Sequence, residues 1–245
     1  MSRSLLFRLQ ASGVHLLASA MVIGLFMWLV YGYWYMHPYQ IVLSTLDVVK
    51  ILVGVDLVLG PLLTLIVFNI AKPRKELLRD LAIILAIQLS ALSWGAHITY
   101  SMRPQLVAFF DQEVYVMTAS DVDMTVIPSE IPRRSFLSSP VAVYVAGPRT
   151  AEEITQHVAD MFTKGKPDVP FQPERYRSYV ENRDKVRVAA LRADDIRKQS
   201  GVAAGWIDGL QSDTRLVFFN IHSGPYESLA AVDAETGVIV SVMPQ

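Results

Sequence analysis

No cysteine occurs in the chain, which excludes a disulfide framework and thiolate chemistry while leaving the compartment open. Charge is scarce as well. Asp, Glu, Lys and Arg make up 18% of the residues, against about 25% in an ordinary soluble domain. Catalytic signatures are also missing. There is no Gly-x-Ser-x-Gly and no His-Glu-x-x-His, and "AGPRT" offers one glycine without a P-loop lysine. An enzyme of the hydrolase, zinc-protease or nucleotide-binding class therefore has no starting point, and no cofactor is expected. Internal repeats and low-complexity tracts are absent too.

Hydrocarbon is what the chain has in quantity. Of its 245 residues, 52% are apolar, and the mean hydropathy is positive. Charge divides the chain in two. Through Arg103 there are eight Lys/Arg against four Asp/Glu, a balance of +4; from Pro104 onward there are fourteen against nineteen, a balance of −5. An acidic second half argues against nucleic acid as a partner.

Three windows in the first half are long enough to cross about 30 Å of hydrocarbon, which takes roughly 20 helical residues. They run over about 14–35, 51–70 and 81–100. The first is too long for a signal peptide and ends in bulky aromatics where a peptidase needs small residues, so it reads as a retained anchor. Arg3 and Arg8 precede the first window, and Lys72, Arg74, Lys75 and Arg79 fill the turn between the second and third. The segment "MHPYQIVLSTLD" between the first and second has neither Lys nor Arg. The positive-inside bias then predicts a cytoplasmic N-terminus and an exported C-terminal half, with Arg103 snorkelling at a helix end. Trp28, Tyr31, Tyr33, Trp34, Tyr35 and Tyr39 gather at the outer end of the first window, as an aromatic belt would.

From Leu106 the pattern changes to that of an α+β domain over 104–245. "LVAFF-DQE-VYVMT" predicts a hairpin, "VAVYVAGP" a strand, and "TAEEITQHVADMFTKG" a helix capped by Thr150 and Glu153 and closed by Gly165. Ile154, Val158, Met161 and Phe162 form that helix's apolar face. Further helical regions are expected over Pro173–Val180 and near Lys185–Gln199, then a strand in "TRLVFFNIH" and a hairpin turning at "DAETG". Chemistry is thin here. His157 and Asp160 stand one helical turn apart, a spacing more often solvated than ligating. Asp111–Glu113 and Asp121 with Asp123 read as turn-forming acids, since neither has the ligand count of a calcium loop.

The sharpest feature lies in the membrane half. Asp56 sits inside "ILVGVDLVLGPLLTLIVFNI", five residues before Pro61. An intramembrane carboxylate costs about 2.5–3.5 kcal/mol on insertion scales, so it faces protein or water. Counting from the outer end, Asp56 lies roughly 13 Å deep, at about the depth of Ser90 and Ser93. Ala82, Ala86 and Ser90 form a small-residue stripe that lets a helix approach closely. Two readings stay open: Asp56 is held inside its own bundle by Ser90 or Ser93, or it meets a partner helix. Pro61 frees a carbonyl of its own helix, about that of Leu57, and predicts a kink just below the acid.

"LVGVDLVLGPLLTLIVFN", the basic turn "KPRKELLRDLAIILAIQLSAL" and "SMRPQLVAFF…ASDVD" together resemble type IV pilin accessory proteins of the TfpX/TfpZ kind, across approximately 14–123. The exported half matches in layout, with Gly147–Pro148 and the terminal "VDAETG". The resemblance implies an inner-membrane protein with three spans and a periplasmic domain over 104–245. It implies no enzymatic activity and a role in pilus biogenesis through the cognate major pilin. It makes Asp56, Pro61, Ala86, Ser90 and Ser93 candidate partner-binding residues in a groove of the second and third spans. The rival readings are a periplasmic sensor or a subunit of a membrane complex, which would have to signal through a partner, and a transporter subunit, which would need an oligomer.

Overall fold

Residues 3–43, 46–69, 71–198, 201–210 and 215–244 are described by a computed structural model. They form two compact units, one of Met1–Tyr33 with Ser44–Ser101 and one of Trp34–Leu43 with Met102–Gln245.

The first unit is helical. Helix α1 (Arg3–Leu29) runs into a π-helical turn, Val30–Trp34. After the short helix α2 (Tyr39–Val42) come α3 (Leu46–Gly54), a second π turn (Val55–Leu59), α4 (Gly60–Val67) and α5 (Arg74–Ser101). Three stretches are long and apolar enough to span a membrane: Ser4–Trp34, Val49–Val67 and Arg74–Ser101. The first and third begin earlier than the hydropathy windows, because Arg, Lys, Glu and Leu are good helix formers and carry the helix past the apolar run. Ile70, the expected end of the second window, lies outside the described residues.

The second unit is built on a seven-stranded mixed sheet. Its strands are β1 (Leu106–Phe110), β2 (Glu113–Met117), β3 (Val141–Val145), β4 (Tyr176–Ser178), β5 (Leu216–Ser223), β6 (Tyr226–Asp233) and β7 (Ile239–Val242). Their order is β4-β3-β1-β2-β5-β6-β7. The expected hairpins are present as antiparallel pairs, β1 with β2 and β6 with β7. β5 joins them, parallel to β2 and antiparallel to β6, and β3 adds in parallel on the far side of β1. That joining was not legible in the sequence, because parallel neighbours need long connections rather than a local turn. At the β6–β7 turn Gly237 has a φ of 71°, and a Cβ there would meet Ala142 at 2.5 Å.

Alternation puts Val107, Phe109, Phe219 and Ile221 on one face of the sheet and Leu106, Ala108 and Phe218 on the other. The first face is covered by Tyr179 and Val186 of α7 (Tyr179–Ala189) and also by Tyr39 and Val42. This last contribution corrects an expectation. Trp34, Tyr35 and Tyr39 do not stand in an aromatic belt. They are 4%, 1% and 1% exposed within the sheet unit, since a ring gains more from a packed core than from a headgroup layer. Ser44 and Thr45, which end the same inter-helix segment, lie outside the described residues.

Three helical expectations also change. Helix α6 (Ala151–Lys164) has the expected cap: Thr150 Oγ1 accepts from the Glu153 N–H at 3.1 Å, and Gly165 closes the helix at φ 64°. Its apolar stripe, however, faces outward, with Ile154, Val158 and Phe162 at 49%, 45% and 88% exposed. The helix instead buries His157, which meets Gln172 at 3.3 Å and Asp168 at 3.7 Å. Pro173–Val180 is not one helix; only Tyr179 and Val180 are α-helical, as the start of α7. A 3₁₀ turn, Pro173–Arg175, leads into β4, because a buried Tyr176 donates to the Pro170 carbonyl at 2.8 Å and pairing with β3 overrides local propensity. The region near Lys185–Gln199 is split between the end of α7 and α8 (Ala193–Arg197), since the Leu191 N–H leaves the helix to donate to Phe218 of β5; Gln199 lies outside the described residues. Helix α9 (Gly201–Leu210) was not anticipated. Its three glycines are poor helix formers, and the burial of Ala203 and Ile207 against Phe218 and Leu229 sustains it.

Two expected results follow. Thr150→Ala removes one cap bond and lowers the stability of α6 by about 1 kcal/mol, read as faster amide exchange in its first turn. The second concerns alkali. Burial pushes the Tyr39 phenol up to about 12 from 10.0, and burial with the nearby Asp233 charge does the same for Tyr179, also to about 12. The folded state therefore holds these protons more tightly than the unfolded chain. Their contribution is fully present below pH 10 and is lost as pH rises through 12. Denaturant midpoints of the sheet unit should be flat up to about pH 9 and fall steeply above about pH 10; a flat profile to pH 12 would contradict this assignment.

Candidate functional site

Polar side chains in an apolar helical unit mark where it can do something other than fill space. Four of them meet between α1, α4 and α5. His15 on α1 lies between Thr64 of α4, 2.6 Å from Nδ1, and Gln88 of α5, 2.7 Å from Nε2. The Gln88 Oε1 can only accept, so Nε2 of His15 donates to it, and in the neutral ring Nδ1 then accepts from the Thr64 hydroxyl. The Gln88 amide N–H in turn donates to the Asp56 backbone carbonyl at 3.4 Å. Ser12 of α1 donates to the Pro61 carbonyl at 2.8 Å. Gly60 permits this closeness, because a Cβ at that position would run into the Gln88 amide.

The irregular turn sits at the acid rather than below it. Val55–Leu59 is a π turn that contains Asp56 and leads directly into Gly60–Pro61. Proline has no N–H to give the preceding turn, and the wider turn accommodates the missing bond while side chains of α1 and α5 bind the carbonyls of Pro61 and Asp56. Asp56 itself is 5% exposed. Its Oδ1 is buried and has no hydrogen-bond partner among the described residues. Asp56, His15, Thr64 and Gln88 all line one cleft of about 620 Å³, whose remaining wall is mostly apolar.

Of the five candidate residues, Asp56 and Pro61 are both buried in this unit, whereas Ala86, Ser90 and Ser93 are exposed. No tie between Asp56 and Ser90 or Ser93 forms; Ser90 donates to its own helix at Ala86. Helix geometry explains this. α5 turns Ile84 and Gln88 inward, and a residue two positions from Gln88 is rotated by roughly 200° to the opposite side. His15, Thr64 and Gln88 were the residues missed. Their signal was available: each is a polar side chain within an apolar window, as Asp56 is.

Asp121, Asp123 and Asp160 of the sheet unit are engaged by near neighbours in sequence. Asp121 Oδ2 accepts from the Thr118 N–H and hydroxyl at 2.7 and 2.9 Å, and Asp123 Oδ1 from those of Thr125 at 2.9 and 2.7 Å. Those bonds hold the Asp123 carboxyl below its ordinary value. Asp160 binds Lys164 and Gln156 rather than His157. No group of three His, Asp or Glu able to hold a metal occurs among the described residues.

Comparison with known proteins identifies the family. Residues 3–44, covering α1 and the segment packed on the sheet, match the family model "Fimbrial assembly protein FimB". The chain is 32% identical over 189 residues to the "Fimbrial assembly protein, serogroup I" of Dichelobacter nodosus, covering 76% of this chain and 72% of that protein. The chain belongs to the fimbrial assembly protein family. Two further fimbrial assembly proteins of Dichelobacter nodosus are similar: that of serogroup E1, 31% identical over 76% of this chain and 72% of its own length, and that of serogroups C1 and C2, 34% identical over 50% and 94%. No solved structure matches the chain.

Proposed function

We propose that the protein is a non-enzymatic inner-membrane accessory factor of type IV pilus assembly that acts on its cognate major pilin. The observation that carries this reading is the similarity to fimbrial assembly proteins over 72% of the length of the serogroup I protein. In this reading the three apolar helices cross the bilayer, with the N-terminus cytoplasmic and the sheet unit periplasmic. The distribution of Lys and Arg supports that orientation. The packing of Tyr39 and Val42 into the same core as Phe109 and Phe219 supports an odd number of crossings, which would keep the first inter-helix segment and the C-terminal part on one side. Asp56 serves the partner through the cleft, Pro61 shapes the turn that carries it, and Ala86, Ser90 and Ser93 offer a second, small-residue face on the other side of α5.

A chromosomal deletion complemented in trans tests the reading. Loss of surface pili or a changed membrane pool of pilin, restored by the full chain, is the expected result. Unchanged piliation and pilin pool would remove it. Alkaline phosphatase fused after Gln245 should be active, and the same fusion within the Lys72–Arg79 turn should be silent.

A further inference from the structure

We propose that the cleft of the helical unit is the seat of a fourth transmembrane helix, supplied by a partner and carrying a hydrogen-bond donor at the level of Asp56. The shape of the cleft argues for a helix. α4 packs against both α1 and α5 and forms the floor. The α1 wall includes Phe7, Ala11, Val14, Ala18 and Val22, in steps of four, three, four and four. The α5 wall includes Leu81, Leu85, Gln88 and Leu92, in steps of four, three and four. Steps of three and four keep each row on one face of its helix, as a surface against which a further helix can pack. The space between the two rows is unfilled, and Val14 and Leu85 stay 68% and 53% exposed. Ala11 and Ala18 leave room for close approach of a backbone.

The chemistry argues for a donor. Along Thr64, His15 and Gln88 to the Asp56 carbonyl, each hydrogen bond has both a donor and an acceptor. What is left over is Oδ1 of Asp56, buried and unpartnered among the described residues. The oxygen of a carboxylate, like the carbonyl oxygen of a carboxylic acid, accepts, and in hydrocarbon an unmet acceptor is costly. An acyl chain matches the apolar walls but brings no donor to that depth. A helix with an amine, hydroxyl or amide side chain, or its own N-terminal amine, brings both.

The inference rests on the reading above only for its probe, the pilin. The full chain and pilin are co-reconstituted in vesicles of phosphatidylethanolamine and phosphatidylglycerol, with photoreactive benzoylphenylalanine at Leu85 or, facing elsewhere, at Ile87. Pilin adducts at Leu85 should exceed those at Ile87 by about tenfold, the equivalent of about 1.4 kcal/mol in occupancy. Asp56→Leu, which leaves the helix apolar and able to insert, should lower the Leu85 adduct about tenfold, and Asp56→Asn, which keeps an acceptor oxygen, should restore most of it. Equal labelling at both positions, adducts with lipid or a second copy alone, or no effect of Asp56→Leu would overturn the proposal. Two outcomes separate it from the pilin reading. Pilin labelled from Phe162 of the sheet unit while Leu85 stays silent sinks the fourth helix and keeps the pilin. An Asp56-dependent Leu85 adduct in native membranes with an identified transmembrane helix of another protein does the reverse.

Discussion

Arg134→Ala is expected to destabilise the sheet unit by about 3–5 kcal/mol, because hydrogen bonds from one charged donor to three carbonyls are lost together. The Arg134 side chain is buried, at 8% exposed, and donates in three directions. Nε reaches the Ser138 carbonyl at 2.8 Å, one terminal nitrogen the Pro104 carbonyl, and the other the Trp34 carbonyl at 3.0 Å. These acceptors belong to the loop after β2, to the residues leading into β1 and to the segment before α2. One guanidinium therefore ties together three stretches far apart in sequence. Each bond from a charged donor contributes about 1.5–3 kcal/mol, and removing the donor also leaves buried carbonyls unmet. Arg134→Lys should recover less than half of the loss, because an ammonium cannot reproduce the planar fork. Hydrogen exchange of the β1 and β5 peptides in the full chain reads the effect; a loss below about 1 kcal/mol would show that the fork is dispensable.

Tyr39→Ala should cost a similar amount, about 3–5 kcal/mol by analogy with large aromatic truncations in cores. Tyr39 is 1% exposed and packs in the core with Val107, Phe109 and Phe219, while the backbone of Ile239 hydrogen-bonds its hydroxyl. The ring outweighs the hydroxyl: Tyr39→Phe should cost only about 1 kcal/mol, the net value of one hydrogen bond. The alanine variant should raise exchange both in the 36–43 peptide and across β7, whereas loss confined to 36–43 would mean that the segment merely rests on the sheet. If the segment is structural, the variant should also lower piliation without altering labelling at Leu85, which separates its effect from that of Asp56.

The two predictions share a cause that the sequence did not display. Trp34, Tyr35 and Tyr39 follow a long apolar run, and in one dimension that context reads as an interfacial belt. Nothing local distinguishes a ring at a headgroup layer from a ring in a core assembled by strands seventy or two hundred residues away. Arg134 sits in a proline-punctuated loop with no periodicity, so its three carbonyls became visible only with the fold. The α6 stripe differs for the opposite reason. Its amphipathic pattern is strong, but the segment between α6 and β4 presents Gln172 and Asp168 to that helix, and His157 is the side that docks.

What the sequence determined by itself was everything carried by composition and short-range period: three apolar helices, the capped helix at Thr150, two hairpins, and an acid that had to be accounted for in hydrocarbon. These follow from hydropathy, capping and turn chemistry, which act over a few residues. Tertiary structure decided which polar residues meet Asp56, because a helix pair chooses its facing side by packing, and a rotation of two residues exchanges Gln88 for Ser90. It also decided the order of the strands and the capture of residues 34–43 by the sheet, since pairing and burial between distant segments are settled by the free energy of the whole core.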